Sequence, residues 1–144
     1  MDELAAMISV YGGKVSQDPF FAAGALPGRS LLIVARSPTG APLGCGAFYP
    51  ISQYVAELIG PYSRSGAAAV RCEVLARLEA AATRFGFVTM RVGASRSDRR
   101  LVAFYEAHGF SPVPAYGRYV GIAGASCLEK RLFEHAGDSR RPTP

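Results

Sequence analysis

Val70, Val74, Leu78, Ala81 and Phe85 recur at intervals of four, four, three and four residues, which lays one apolar stripe along a helix over Gly66 to Phe85. Gly86 supplies its stop signal. Runs of strand character bracket the helix, YVAELIG (54–60) before it and FVTMRVGAS (87–95) after it. A strand, a helix of about twenty residues and a second strand make a crossover unit, which is nearly always right-handed and sets the two strands parallel. The centre of the fold is therefore mixed α/β.

Other elements attach to this unit. SLLIVARS (30–37) is rich in branched apolar residues and lies between turn residues on both sides, so it reads as a buried strand. The PTGAP turn leads into PLGCGAFYPI (42–51), an antiparallel partner in which Gly44 and Gly46 permit close backbone approach. The strand YVAELIG is expected to end at Pro61. Ser97 is expected to cap a helix over DRRLVAFYEAH, which Gly109 terminates. FSPVPAY (110–116) and ASCLEKRL (125–132) read as two further strands. Leu4, Met7, Ile8 and Tyr11 are spaced as a short N-terminal helix closed by Gly12 and Gly13, followed by a loose stretch up to the first strand. The expectation is one domain over 1–133 and a polar, disordered tail over 134–144.

Composition excludes several classes. With 144 residues, 49% apolar and 19% charged, the chain can bury roughly 70% of its unfolded surface without disulfides or a structural metal. Its longest uninterrupted apolar runs, Leu31 to Ala35 among them, are far short of the roughly twenty residues of a membrane helix. The start, Met-Asp-Glu, is acidic with no apolar segment after it, so a cytoplasmic protein is expected. Cys45, Cys72 and Cys127 form no CxxC pair, and only His108 and His135 offer imidazole, so no metal site is expected.

The net charge of +5 is concentrated between Ile59 and Arg100, where eight arginines face three acids. Such an excess attracts a phosphorylated small molecule or a polyanion, although arginine bias on wet helix faces gives the same count. Nucleic acid is disfavoured, because only Phe85 and Phe87 interleave as aromatics with the basic segment. The junction SRSGAAA (63–69) opens the long helix with small residues beside Arg64, and Arg71 follows. Unpaired amides at a helix start favour an anion there, and small residues equally suit tight packing of helix on sheet. Tyr105, four residues after Leu101, reads on its own as a core tyrosine. Glu57, flanked by apolar residues, either faces a cleft or meets an arginine.

The segments AFYEAHGF (103–110), PAYGRYVG (114–121) and CLEK (127–130), together with the order of elements from Ser30 to Leu132, resemble the GNAT superfamily of N-acetyltransferases. The resemblance implies an α/β (α+β) fold. Its sheet is mixed and mostly antiparallel, with a central parallel pair splayed around the cofactor and helices on both faces. It implies direct acyl transfer, most commonly acetyl from acetyl-CoA, to an amine of a small molecule or peptide. On that basis Tyr105 is the general acid near sulfur and Glu57 the base. Leu58, Ile59 and Gly60 supply main-chain contacts, and Arg64, Ser65, Gly66, Ala67, Ala68 and Ala69 cradle the pyrophosphate. Asp98 stands where relatives contact the pantetheine arm, although an aspartate at a helix start is also ordinary capping chemistry. Tyr116 and Tyr119 line the acceptor pocket or serve as packing.

Three features depart from the family pattern. Alanines replace glycines in the phosphate loop, Pro61 removes an amide from the strand that would hold pantetheine, and the usual first strand is missing at the amino end. A partner subunit, as in a homodimer, or a rearranged edge is expected to replace that strand. The alternative function is a catalytically degraded GNAT-like module that binds CoA or a metabolite.

Overall fold

The computed structural model describes residues 21–26 and 28–132; the expected N-terminal helix and the tail over 134–144 lie outside them. Seven strands form one sheet: β1 (Phe21–Leu26), β2 (Ser30–Arg36), β3 (Pro42–Pro50), β4 (Val55–Ser63), β5 (Thr89–Ser95), β6 (Ser111–Val113) and β7 (Ala125–Arg131). Their spatial order is β1-β2-β3-β4-β5-β7-β6. Every neighbouring pair is antiparallel except β4 and β5, the parallel pair that the crossover requires. Helix α1 (Ala68–Arg84) joins those two strands, and α2 (Arg99–Ala107) follows β5.

Alternate strand residues enter one apolar cluster with both helices. Ile33, Phe48, Leu58, Met90, Val92 and Leu128 from the sheet meet Val74, Leu75 and Leu78 from α1 and Tyr105 from α2. Phe48 is fully buried and takes Phe85 and Phe87 edge-on at 5.5 and 5.8 Å. The opposite face carries a second cluster of Leu32, Val34, Cys45 and Ala47. Both described helices thus lie on one face, and any helix on the other falls outside the described residues. No described helix is long and apolar enough to cross a membrane.

Four local expectations are corrected. First, the edge is not missing: β1 pairs with β2 from Phe21↔Ala35 to Leu26↔Ser30, so the chain supplies its own outer strand. FAAGAL has little intrinsic strand preference, and it is the exposed edge of β2 that recruits it. Second, β4 does not end at Pro61 but runs on to Ser63. Its register with β3 jumps between Ile59↔Ala47 and Tyr62↔Cys45, so Gly60 and Pro61 together oppose Gly46 in a bulge that absorbs the proline. Gly60 has φ +86°, which only glycine adopts readily. Third, the cap of α2 is Asp98, whose carboxylate accepts the Leu101 amide at 3.1 Å; the Ser97 hydroxyl pairs with Ser95 instead. Fourth, FSPVPAY narrows to β6, which stops short of Pro114, where no amide is available for a ladder.

Candidate active site

The site grows from the parallel pair. β4 and β5 are in register at Val55↔Thr89, Ala56↔Met90 and Glu57↔Arg91, and there the pairing ends. Past Glu57 the bulge carries β4 along β3 as far as Ser63↔Gly44, while β5 stays with β7 as far as Ser95↔Ala125. The two strands therefore part, and a cleft of about 410 Å³ opens between them. The main-chain edge of Leu58, Ile59 and Gly60 faces Val92 and Gly93 across it, and Asp98, Leu101 and Tyr105 of the α2 segment close one side.

Tyr105 reaches the gap from the helical face. It is 2% exposed, and its hydroxyl donates to the Gly60 carbonyl at 2.7 Å. Burial pushes the phenol well above its ordinary value, and the nearby Arg71 charge offsets this only in part. Arg71 is held in place twice: its Nε donates to the Pro61 carbonyl at 3.1 Å and its guanidinium stacks 4.3 Å over Phe104. It lines the cleft, a role the sequence suggested only through its nearness to Arg64.

Glu57 enters from the opposite face, because it alternates with Ala56 and Leu58 of the helical cluster. It is 4% exposed and meets both alternatives read from the sequence, lining the cleft and pairing with an arginine. The partner is Arg118, Nη2 to Oε2 at 3.1 Å. Arg118 also donates to the Tyr49 hydroxyl at 3.2 Å and to the Tyr119 hydroxyl at 2.8 Å, and Tyr119 in turn donates to Glu57 at 3.4 Å. The Tyr49 hydrogen bond is the chief reason that Arg118 holds its proton more tightly than usual. Burial first, then the Glu57 charge, raises the Tyr119 phenol.

The ring of Tyr119 lies directly on β5 at Gly93, where an added Cβ would sit 2.2 Å from Tyr119 Cζ. Gly93 is thus a site residue by virtue of having no side chain, and nothing in the sequence marked it. Gly93→Ala is expected to evict the ring, costing about 1–3 kcal/mol of stability as an overpacked contact. Thermal melts check it. Tyr116 stands outside the cleft and packs edge-on against Tyr119 at 5.4 Å, with its hydroxyl buried and unpartnered.

At the far end, Ser63 lines the cleft and leads into the Arg64–Ala69 turn, none of whose residues lines the cavity itself. The Ala67 amide bonds to the Arg64 carbonyl at 3.0 Å, and Gly66 turns with φ +84°. α1 then starts with no side-chain cap and no acidic residue in its first turn. The Val70 and Arg71 amides bond to the Ala67 carbonyl, which leaves those of Ala68 and Ala69 as donors for an anion, with the Arg71 side chain one turn further on. This end fits a coenzyme pyrophosphate, and the parted strands fit the arm that follows it.

Among the described residues no three His, Cys, Asp or Glu side chains gather around a metal position. Burial pushes the Cys45 thiol up to about 12, which leaves it inert as a nucleophile.

No family model and no curated protein matches the chain. Solved structures do. A Klebsiella pneumoniae protein provisionally assigned as an acyl-CoA N-acyltransferase is 25% identical, with TM-score 0.69 over 76% of this chain and 77% of that one. A GNAT family acetyltransferase from Elizabethkingia anophelis with acetyl-CoA bound gives TM-score 0.61 at 13% identity, covering 72% and 77%. The PaiA N-acetyltransferase from Thermoplasma acidophilum in complex with coenzyme A gives 0.60 at 19% identity, covering 71% and 60%.

Proposed function

We propose that this chain, which has the fold of the GNAT acetyltransferases, transfers an acyl group from acyl-CoA to an acceptor amine, with acetyl-CoA as the donor. The observation that carries the reading is the arrival of Tyr105 and Glu57 at one gap from opposite faces of the sheet. Acyl-CoA, when bound, supplies a thioester whose acyl carbon the amine attacks and whose thiolate departs. The uncapped start of α1 and Arg71 hold the pyrophosphate end, and the unpaired edge of Leu58 to Gly60 aligns the arm and polarises the carbonyl. Glu57 takes the proton that the acceptor ammonium must lose before attack. Tyr105 keeps its own proton at neutral pH, gives it to the departing thiolate and recovers one from the nitrogen of the newly formed amide, which restores the phenol. The proposed location is the cytoplasm, where an acyl-CoA donor is at hand.

Acetyl-CoA is expected to raise the melting temperature by several degrees at a hundredfold excess over its Kd, a linkage of about 2.7 kcal/mol. Added amine should then release free thiol. No shift at any salt concentration would remove the donor assignment. A shift without thiol release across a panel of amines would favour the second reading, a binding module. One observation leans that way: the Tyr105 hydroxyl is already committed to the Gly60 carbonyl.

A further inference from the structure

We propose that the acceptor is an α-amino acid, recognised as a zwitterion by Arg118 and Glu57 together. The inference rests on the transferase reading and names its substrate class. Glu57 is a buried carboxylate whose Oε2 accepts from Arg118 and Tyr119. Glu57 also lines the cleft, so the carboxylate that Arg118 holds is within reach of a ligand there. Arg118 is the reverse case. Its side chain is 63% exposed, yet it is fixed by Tyr49, Tyr119 and Glu57 and lies 4.8 Å over the Tyr119 ring.

Those contacts use three of the five guanidinium N–H groups. The Nε–H and one Nη1–H remain on different edges of the group, so an external carboxylate takes one of them. An arginine held on one side and open on the other has already lost its side-chain freedom, so a carboxylate that binds it meets little further ordering cost. The two charges lie side by side at 3.1 Å, negative within and positive at the mouth. An α-amino acid carries the complementary pair on a single carbon, positive amine and negative carboxylate. Seated so, its carboxylate stays on Arg118 and its amine points past Glu57 toward the gap. A simple cationic amine satisfies Glu57 alone and competes with Arg118 instead of using it.

Calorimetry on the protein loaded with coenzyme A, titrated with each common amino acid and with its carboxamide, tests the proposal without requiring turnover. At least one acid is expected to bind about tenfold more tightly than its amide. Arg118→Met is expected to erase that difference, weakening the acid while freeing Glu57 to take the cationic amide more tightly, and Tyr49→Phe, which keeps the Glu57 pair, to reduce it. A melting temperature that still rises with acetyl-CoA certifies that each variant is folded. The proposal is overturned if no acid outbinds its amide, or if Arg118→Met leaves the preference of the acid over its amide intact. Thiol release with amides and acids alike sinks this inference and leaves the transferase reading standing. Acid-selective binding without thiol release supports the recognition and sinks the transferase reading.

Discussion

Tyr105→Phe is expected to lower kcat about a hundredfold while KM for acetyl-CoA changes by no more than about twofold, because a proton donor acts in the transition state and adds little to ground-state binding. The ring fills the same space, 2% exposed between Phe104 and Phe110, so packing is retained. What the variant loses is the hydrogen bond to the Gly60 carbonyl, which costs about 1–2 kcal/mol of stability. A loss of that size leaves a stable domain folded and cannot mimic a hundredfold fall in turnover. Single-turnover rates with acetyl-CoA measure the effect, and an unchanged rate would mean the phenol only anchors the bulge.

The same residue sets a pH signature. Burial raises the Tyr105 phenol above its ordinary value near 10, so the acid form persists through neutral and moderately alkaline solution. No falling limb in kcat from this group is expected below about pH 10. The stability linkage has the same origin. Above about pH 10 the unfolded chain releases protons that the folded chain keeps, so stability present below that pH is lost as pH climbs toward the folded value. Tyr116, raised by burial and by Glu57, acts in the same direction. Tyr105→Phe should therefore flatten the alkaline loss of stability without abolishing it.

What the sequence made legible was what short-range spacing encodes. The stripe from Val70 to Phe85 and the flanking strands specify the crossover, and α1 buries Val74, Leu78 and Ala81 from that stripe. Phe85 falls just past the helix end but still packs edge-on against Phe48. The segment around Tyr105 sits on a helix stopped by Gly109 with φ +95°. What stayed hidden depends on chain segments far apart in sequence. Pro61 reads as a terminator because its missing amide is visible and the bulge opposite Gly46 is not. FAAGAL reads as loose because its strand state comes from β2 beside it. Arg118 was an unremarked letter in YGRYVG, and only folding brings it across 61 positions to Glu57. The partner foreseen for Glu57 was an arginine of unspecified position, since a buried carboxylate needs a countercharge but does not say which element delivers it.

Glu57→Gln is the counterpart on the acceptor side, and its expected effect is of the same order, a fall in kcat of about a hundredfold near neutral pH. Glutamine keeps the shape and can still accept from Arg118 and Tyr119 through its carbonyl oxygen, so the cleft stays assembled. What it cannot do is take the ammonium proton. The variant therefore depends on the fraction of acceptor already deprotonated in solution, and that fraction grows about tenfold for each pH unit below the acceptor's own pKa. Its rate should climb with a slope near one on a log scale up to that point, and the gap from the parent enzyme should close as pH rises. Because Arg118 is largely exposed, losing its carboxylate partner costs little stability, whereas Arg118→Met strands a buried charge and should melt lower. If Glu57→Gln shows a constant deficit at every pH, the carboxylate positions the acceptor and some other group carries the proton.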